Sequence, residues 1–162
     1  MEHDTNLWTT IIQVLLGGLL ALLGVAAGPA VTQLLNDRTS QKAKRTQKYE
    51  DLISAIYDHD HWLAQRVQAA FEGRDIDSQP PIQRATLLCS LHFPELLPHV
   101  QNVENKGRPY LMWILGVRRK RLVNDLSGAS DGMQDAYKPY QLALDQFQRE
   151  AFGFVQRNKK LF

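Results

Sequence analysis

From Thr5 to Asn36 the chain carries no charged side chain, and Leu, Ile, Val, Ala and Gly fill most of the stretch, LWTTIIQVLLGGLLALLGVAAGPAVTQLL. An uncharged apolar run of about 18 residues or more reads as a membrane-spanning helix, because within hydrocarbon a helix satisfies its own backbone hydrogen bonds. Residues 7–35 are therefore the predicted transmembrane helix, preceded by a short extracytoplasmic N-terminus, residues 1–6. At ~1.5 Å per residue the segment exceeds a hydrocarbon layer of about 30 Å, so it tilts or projects beyond it. Pro29 lacks a backbone donor and is expected to kink the helix near its cytoplasmic end.

At Asn36 the polarity switches with no Gly or Pro to break the helix, so the membrane helix is expected to run on into the water-facing part. Tyr49, Leu52, Ile53, Ile56, Leu63, Val67 and Ala70 recur at helical spacing and predict a core-facing stripe that runs to about Glu72 and ends at Gly73. Residues 73–80 combine breakers and polar groups and predict a loop, with Pro80 and Pro81 suited to the first turn of the next helix. Ile82, Ala85, Leu88, Cys89 and His92 mark the apolar side of that helix, which Pro94 stops. A short helix over 95–104, with Leu96, Leu97, Val100 and Val103 inward, is expected to end at the Asn105, Lys106, Gly107 and Pro109 cluster.

A further helix is predicted over 109–126, with Tyr110, Leu111, Trp113, Ile114, Val117 and Leu122 apolar and Ser127-Gly128 as its stop. Ser130 and Asp131 are candidate caps for a last helix, bent or broken at Pro139, with Tyr140, Leu144, Phe147, Ala151, Phe154 and Val155 inward. No alternating strand pattern, repeat or low-complexity tract interrupts this series. The predicted class is all-α: one N-terminal transmembrane helix continuing into a cytoplasmic bundle of about four main helices, residues 36–162.

Composition narrows the picture. Mean hydropathy is −0.33 despite the apolar segment, so the rest faces water and a multi-span channel within one chain is excluded. Cys89 is the only cysteine, which rules out an internal disulfide and makes a cysteine zinc site implausible. The net charge of +2 implies no nucleic acid by itself. Its distribution is more telling: Glu2, His3 and Asp4 precede the apolar run, while Arg38, Lys42, Lys44, Arg45 and Lys48 follow it. By the positive-inside rule the chain lies in the cell inner membrane as a single pass, N-terminus outside and C-terminal domain in the cytoplasm. The small residues of VAAGPA also fit a signal-peptide cleavage site, but the acidic start and the length of the apolar core favour an anchor.

Within the anchor Gly17, Ala21, Gly24 and Gly28 form one small-residue stripe, the kind that lets helices approach closely in lipid, and it makes these four the candidate oligomer interface. Gln13 and Gln33 are the candidate pore-facing polar groups. No ionisable residue lies in the span to serve as a proton relay.

Candidate chemistry in the rest of the chain is sparse. Asp58-His59-Asp60-His61 resembles a metal string, yet neighbours on a helix fan out by about 100 degrees each and cannot converge on one ion, so solvated side chains are the expectation. Arg118-Arg119-Lys120-Arg121 fits RNA, DNA or anionic headgroups, but its side chains spread around a helical turn with no interleaved aromatics, so a solvated helix C-terminus is the expectation. Cys89 and His92 are spaced as a thiolate and base, but Leu87, Leu88, Leu91 and Phe93 around them point to a buried, inert thiol. Walker A, G-x-G-x-x-G and G-x-S-x-G motifs are missing, and no cofactor, metal or catalytic residue is expected.

The order of features, an N-out anchor with a Gly stripe, a basic juxtamembrane helix and a helical domain containing Leu91-His92-Phe93-Pro94-Glu95-Leu96, resembles small single-pass bacterial membrane proteins. Among them it resembles the accessory proteins of Cas13b-type CRISPR immunity and other phage-defence membrane effectors. The resemblance is one of layout, and it implies an oligomeric pore or depolarising effector with no catalytic residues to carry over. The expected function is thus an oligomeric inner-membrane protein forming a pore-like or membrane-perturbing assembly. The alternative is a membrane-tethered adaptor recruiting a cytoplasmic protein, and an RNA partner for the basic run stays open.

Overall fold

The computed structural model describes the backbone of residues 3–159 and 162, and the side chains of Asn36, residues 39–159 and Phe162. Four helices make up the described chain, with no strand among the described residues: α1 (His3–Glu72), α2 (Ile82–His92), α3 (Leu97–Leu122) and α4 (Met133–Arg157), with a 3₁₀ turn, Pro94–Leu96, between α2 and α3. The chain divides into two compact units, Met1–Ala43 and Lys44–Phe162.

The first unit consists of the N-terminal part of α1. No helix among the described residues is long and apolar enough to cross a membrane. The expected transmembrane segment, 7–35, and the expected kink at Pro29 concern side chains that lie outside the described residues.

The second unit is a helical bundle around one apolar core. Leu52, Ile56, Leu63 and Ala70 of α1 are buried as their spacing predicts, and Tyr49, Ile53 and Val67 pack at its margin. Ile82, Ala85, Leu88 and Cys89 supply the buried side of α2, and Tyr140, Phe147, Ala151 and Phe154 that of α4. Each large apolar side chain enclosed in this way contributes roughly 1.5–3 kcal/mol relative to exposure. Tyr49 ties α1 to α4 by donating its hydroxyl to the Ala151 carbonyl at 2.9 Å, while its ring meets Phe93 edge-on at 5.8 Å.

The helix ends follow local chemistry. Gly73, at φ +76°, stops α1, and Arg74 N–H reaches back to the Ala69 carbonyl at 3.0 Å, closing the carbonyl end as a Schellman turn does. Asn124 does the same for α3 at φ +59°: its N–H bonds the Arg121 carbonyl at 3.1 Å and Asp125 N–H bonds that of Lys120 at 3.0 Å. Helix α3 thus stops at Leu122, earlier than the Ser127-Gly128 stop the sequence suggests.

Five further expectations are corrected. The break at Asn105 to Pro109 does not occur, because α3 runs through both Gly107 and Pro109. Val100, Val103, Gly107, Tyr110, Ile114 and Val117 are all buried and alternate three and four apart, so the two predicted helices share one inward stripe. Pro109 and Asn105 lie on the exposed side, where water can take the carbonyl that Pro109 leaves without a helical donor. An interior proline costs about 3 kcal/mol, and burial of Tyr110, Ile114 and Val117 outweighs it. Pro139 is likewise interior to an unbroken α4, whose N-cap is left-handed Gly132, φ +72°, with no side-chain cap from Ser130 or Asp131. His92, expected to face inward, is exposed, and so is Leu122, 70 % exposed past the end of the stripe.

Candidate functional site

The structure disperses the basic run. Arg118 donates to the Asp75 carboxylate at 2.8 Å, and Lys120 Nζ donates to the Ser127 and Gly128 carbonyls at 2.8 and 3.0 Å. Arg119 points to solvent, and the stem of Arg121 lies 3.6 Å from the position a Cβ would take on Gly73. Two of the four cations thus fasten the two loops that meet at the C-terminal end of α3. With Arg118 36 % and Asp75 68 % exposed, their ion pair contributes no more than about 1 kcal/mol.

Asp58-His59-Asp60-His61 is also dispersed, as one helical turn requires. Asp58 accepts from the Ser54 hydroxyl at 3.3 Å, and His61 shares a 2.9 Å hydrogen bond with Gln65 on the outer face. Asp60 accepts from the Tyr140 hydroxyl at 3.2 Å. No group of three or more His, Cys, Asp or Glu among the described residues is arranged to hold a metal ion.

His59 departs from the solvated side chain that the sequence suggests. Only 5 % exposed, it is the single polar residue among the buried ones described. Its register accounts for this: Leu52, Ile56, His59 and Leu63 continue the same three-and-four spacing, which puts the imidazole on the core stripe. The ring stacks on Trp62 with centroids 5.6 Å apart and planes 22° apart, and Tyr140 meets it edge-on at 6.3 Å. Nδ1 is enclosed without a hydrogen-bond partner. A buried group left so costs roughly 1–3 kcal/mol. Burial holds the imidazole pKa down at about 4, outweighing the Asp60 and Glu104 carboxylates, which pull it up, so the ring is neutral at pH 7.

Beside it is a cavity of about 150 Å³ bounded by α1, α3 and the start of α2, lined by His59, Trp62, Leu63, Pro80, Ile82, Glu104, Gly107, Arg108 and Leu111. Trp62 Nε1–H donates to the Ser78 hydroxyl at 2.8 Å, and the Arg66 guanidinium caps the indole 4.3 Å from its ring centroid. Glu104 and Arg108 pair at 3.1 Å, one helical turn apart on α3. The loop that sequence reading leaves featureless therefore has a task, since Ser78 and Pro80 hold and roof the Trp62 side of this cavity.

Cys89 is fully buried, with its thiol pushed up to about 12 by desolvation, while His92 is exposed, so the two do not form a nucleophile and base. The anchor stripe Gly17, Ala21, Gly24 and Gly28, with Gln13 and Gln33, lies outside the residues whose side chains are described. No family model matches this chain, and no curated protein or solved structure is similar to it, so its chemistry is read from its own residues.

Proposed function

We propose that this protein is a single-pass inner-membrane protein that works as a homo-oligomer, its residues 7–35 forming a pore-like or membrane-perturbing assembly and its helical bundle lying in the cytoplasm. The observation that carries this reading is the uncharged stretch Thr5 to Asn36, acidic before and basic after, with small residues at helical spacing along it. The bundle serves binding and assembly and is not an enzyme. That agrees with the internal engagement of its reactive groups: the Cys89 thiol is sealed in the core, and Arg118 and Lys120 are committed to neighbouring loops.

Light scattering of detergent-extracted full-length protein tests this directly. A defined oligomer that Gly24→Ile with Gly28→Ile dissociates is the expected result, and a monomer, or an oligomer indifferent to both substitutions, overturns it.

A second reading, a membrane-tethered adaptor, is favoured by the exposure of Leu87 and Leu91, 59 % and 66 % exposed one turn apart on α2, while the bundle completes its own core without them. Exchange of residues 1–35 for an unrelated membrane helix separates the two readings. Activity in cells survives the exchange for an adaptor and is lost for a pore.

A further inference from the structure

We propose that the cavity beside His59 is a binding site for a small uncharged ligand: a single aromatic ring carrying one hydroxyl or equivalent hydrogen-bonding group. The inference concerns the bundle alone and stands whether residues 7–35 form a pore or only an anchor.

Size sets the first limit. At about 150 Å³ the cavity matches the volume at which an apolar protein cavity takes up one benzene-sized molecule.

The walls set the second. Trp62, Leu63, Ile82 and Leu111 present apolar surface, and Trp62 and His59 present ring faces suited to offset or edge-on aromatic contact. Gly107 adds no side chain beside the imidazole, where a Cβ would stand in van der Waals contact with His59 Nε2 at 3.8 Å.

Hydrogen-bonding capacity sets the third. Among the polar side chains lining the cavity, Trp62 is bonded to Ser78 and Glu104 to Arg108; His59 Nδ1 is enclosed and out of a ligand's reach, whereas Nε2, on the Gly107 side, is held by no described side chain. An imidazole that is neutral offers one donor and one acceptor, and which nitrogen carries the proton depends on its surroundings. A hydroxyl suits either tautomer, because it can donate or accept. A cationic or anionic ligand is disfavoured: the Glu104 carboxylate and Arg108 guanidinium neutralise each other, and the rest of the lining carries no charge.

The test uses the full-length chain in detergent, with phenol and benzene as probes and NMR detection of the His59 ring and the Trp62 indole N–H. Expected is a saturable shift of both, with a phenol Kd of about a millimolar or tighter. His92, on the exposed end of α2, should not respond. His59→Phe keeps the ring and removes the hydrogen bond, so phenol binding, now followed at Trp62, should weaken about tenfold towards that of benzene, with benzene binding kept. Leu111→Trp fills the cavity and should abolish binding of both probes. If that variant does not fold, the comparison of phenol and benzene in wild type and His59→Phe decides alone. Shifts that rise linearly with probe and never saturate, or that equally move His92, indicate partition into the detergent and overturn the site. Equal phenol affinity in wild type and His59→Phe overturns the role of His59.

Discussion

Gly107 of α3 lies against the buried ring of Tyr140 of α4, so that a Cβ at position 107 would stand 3.3 Å from Tyr140 Cδ2 and 3.5 Å from Cε2. The Tyr140 ring has little freedom to give way, being wholly buried and tied through its hydroxyl to Asp60. Gly107→Ala gains helix propensity of up to about 1 kcal/mol but loses more to crowding, for a net loss of about 1 kcal/mol, and Gly107→Leu should cost about 3 kcal/mol or more. Gly116, on the outer face of the same helix, has nothing within 4 Å of its Cβ position, so Gly116→Ala should stabilise by about 0.5–1 kcal/mol. Equilibrium unfolding followed by near-UV circular dichroism measures both. Opposite signs for the two alanine variants are the outcome required.

Tyr140→Phe removes only the hydroxyl that donates to Asp60 at 3.2 Å. The loss should be about 1–2 kcal/mol, the net worth of one hydrogen bond to a carboxylate at a part-buried site. Burial and the neighbouring Asp60 carboxylate both push the Tyr140 phenol well above its ordinary range, so at neutral pH the hydroxyl keeps the proton it donates. An unfolding midpoint unchanged by Tyr140→Phe would show that the bond carries no stability.

His59 predicts a pH dependence with a definite sign. Its pKa is about 4 when folded and 6.5 in the unconstrained state, so between these values the unfolded chain binds the extra proton. His59 therefore leaves stability flat above about pH 6.5, erodes it as the pH falls through that window, and adds no further change below about pH 4. The full effect is at most about 3 kcal/mol. His59→Phe should lack this component, so the stability difference between variant and wild type should grow in the variant's favour from pH 7 to pH 4.5 in urea titrations. Parallel stability curves for the two proteins would exclude it.

Cys89 offers a reporter of opening. Fully buried and pushed up to about 12, its thiol should resist iodoacetamide at pH 8 in the folded protein and react at the rate of a free thiol in denaturant. Mass spectrometry of the alkylated chain reads this out, and prompt labelling without denaturant would place Cys89 outside the core.

The inward faces of α1, α2 and α4 are legible in the sequence because three-and-four spacing of apolar residues is what a packed helix requires, and Gly73 ends α1 where its left-handed φ is needed. Two things are hidden for the same reason: residue identity overrode spacing. His59 looks solvated because it is polar and flanked by Asp58 and Asp60, although its register continues that of Leu52 and Ile56. Gly107 and Pro109 look like a break, although Val103, Gly107, Tyr110 and Ile114 keep one stripe across them. The cavity itself depends on Ser78 and Pro80 folding back over Trp62, a contact between residues distant in the chain that no local pattern encodes.

Continuity of α3 through Pro109 can be put to the test at the proline itself. In the structure Pro109 sits on the exposed face of the helix, while its neighbour Tyr110 packs inward against Tyr137 with ring centroids 5.0 Å apart and against Tyr140 at 6.1 Å. The ring of Pro109 thus makes no core contact that alanine would forfeit, and alanine restores an N–H for the Asn105 carbonyl one turn earlier. Pro109→Ala should therefore stabilise the bundle by about 1–3 kcal/mol, short of the full cost of an interior proline wherever the helix has already bent to accommodate it. It should do so without changing the near-UV spectrum, since the Tyr110 cluster keeps its packing. If Pro109 instead ended one helix and began another, alanine would favour a straightening that pulls Tyr110 from Tyr137, and the variant would lose stability along with its aromatic circular dichroism signal. The sign of that one substitution distinguishes a single helix that tolerates a proline from two helices joined by it.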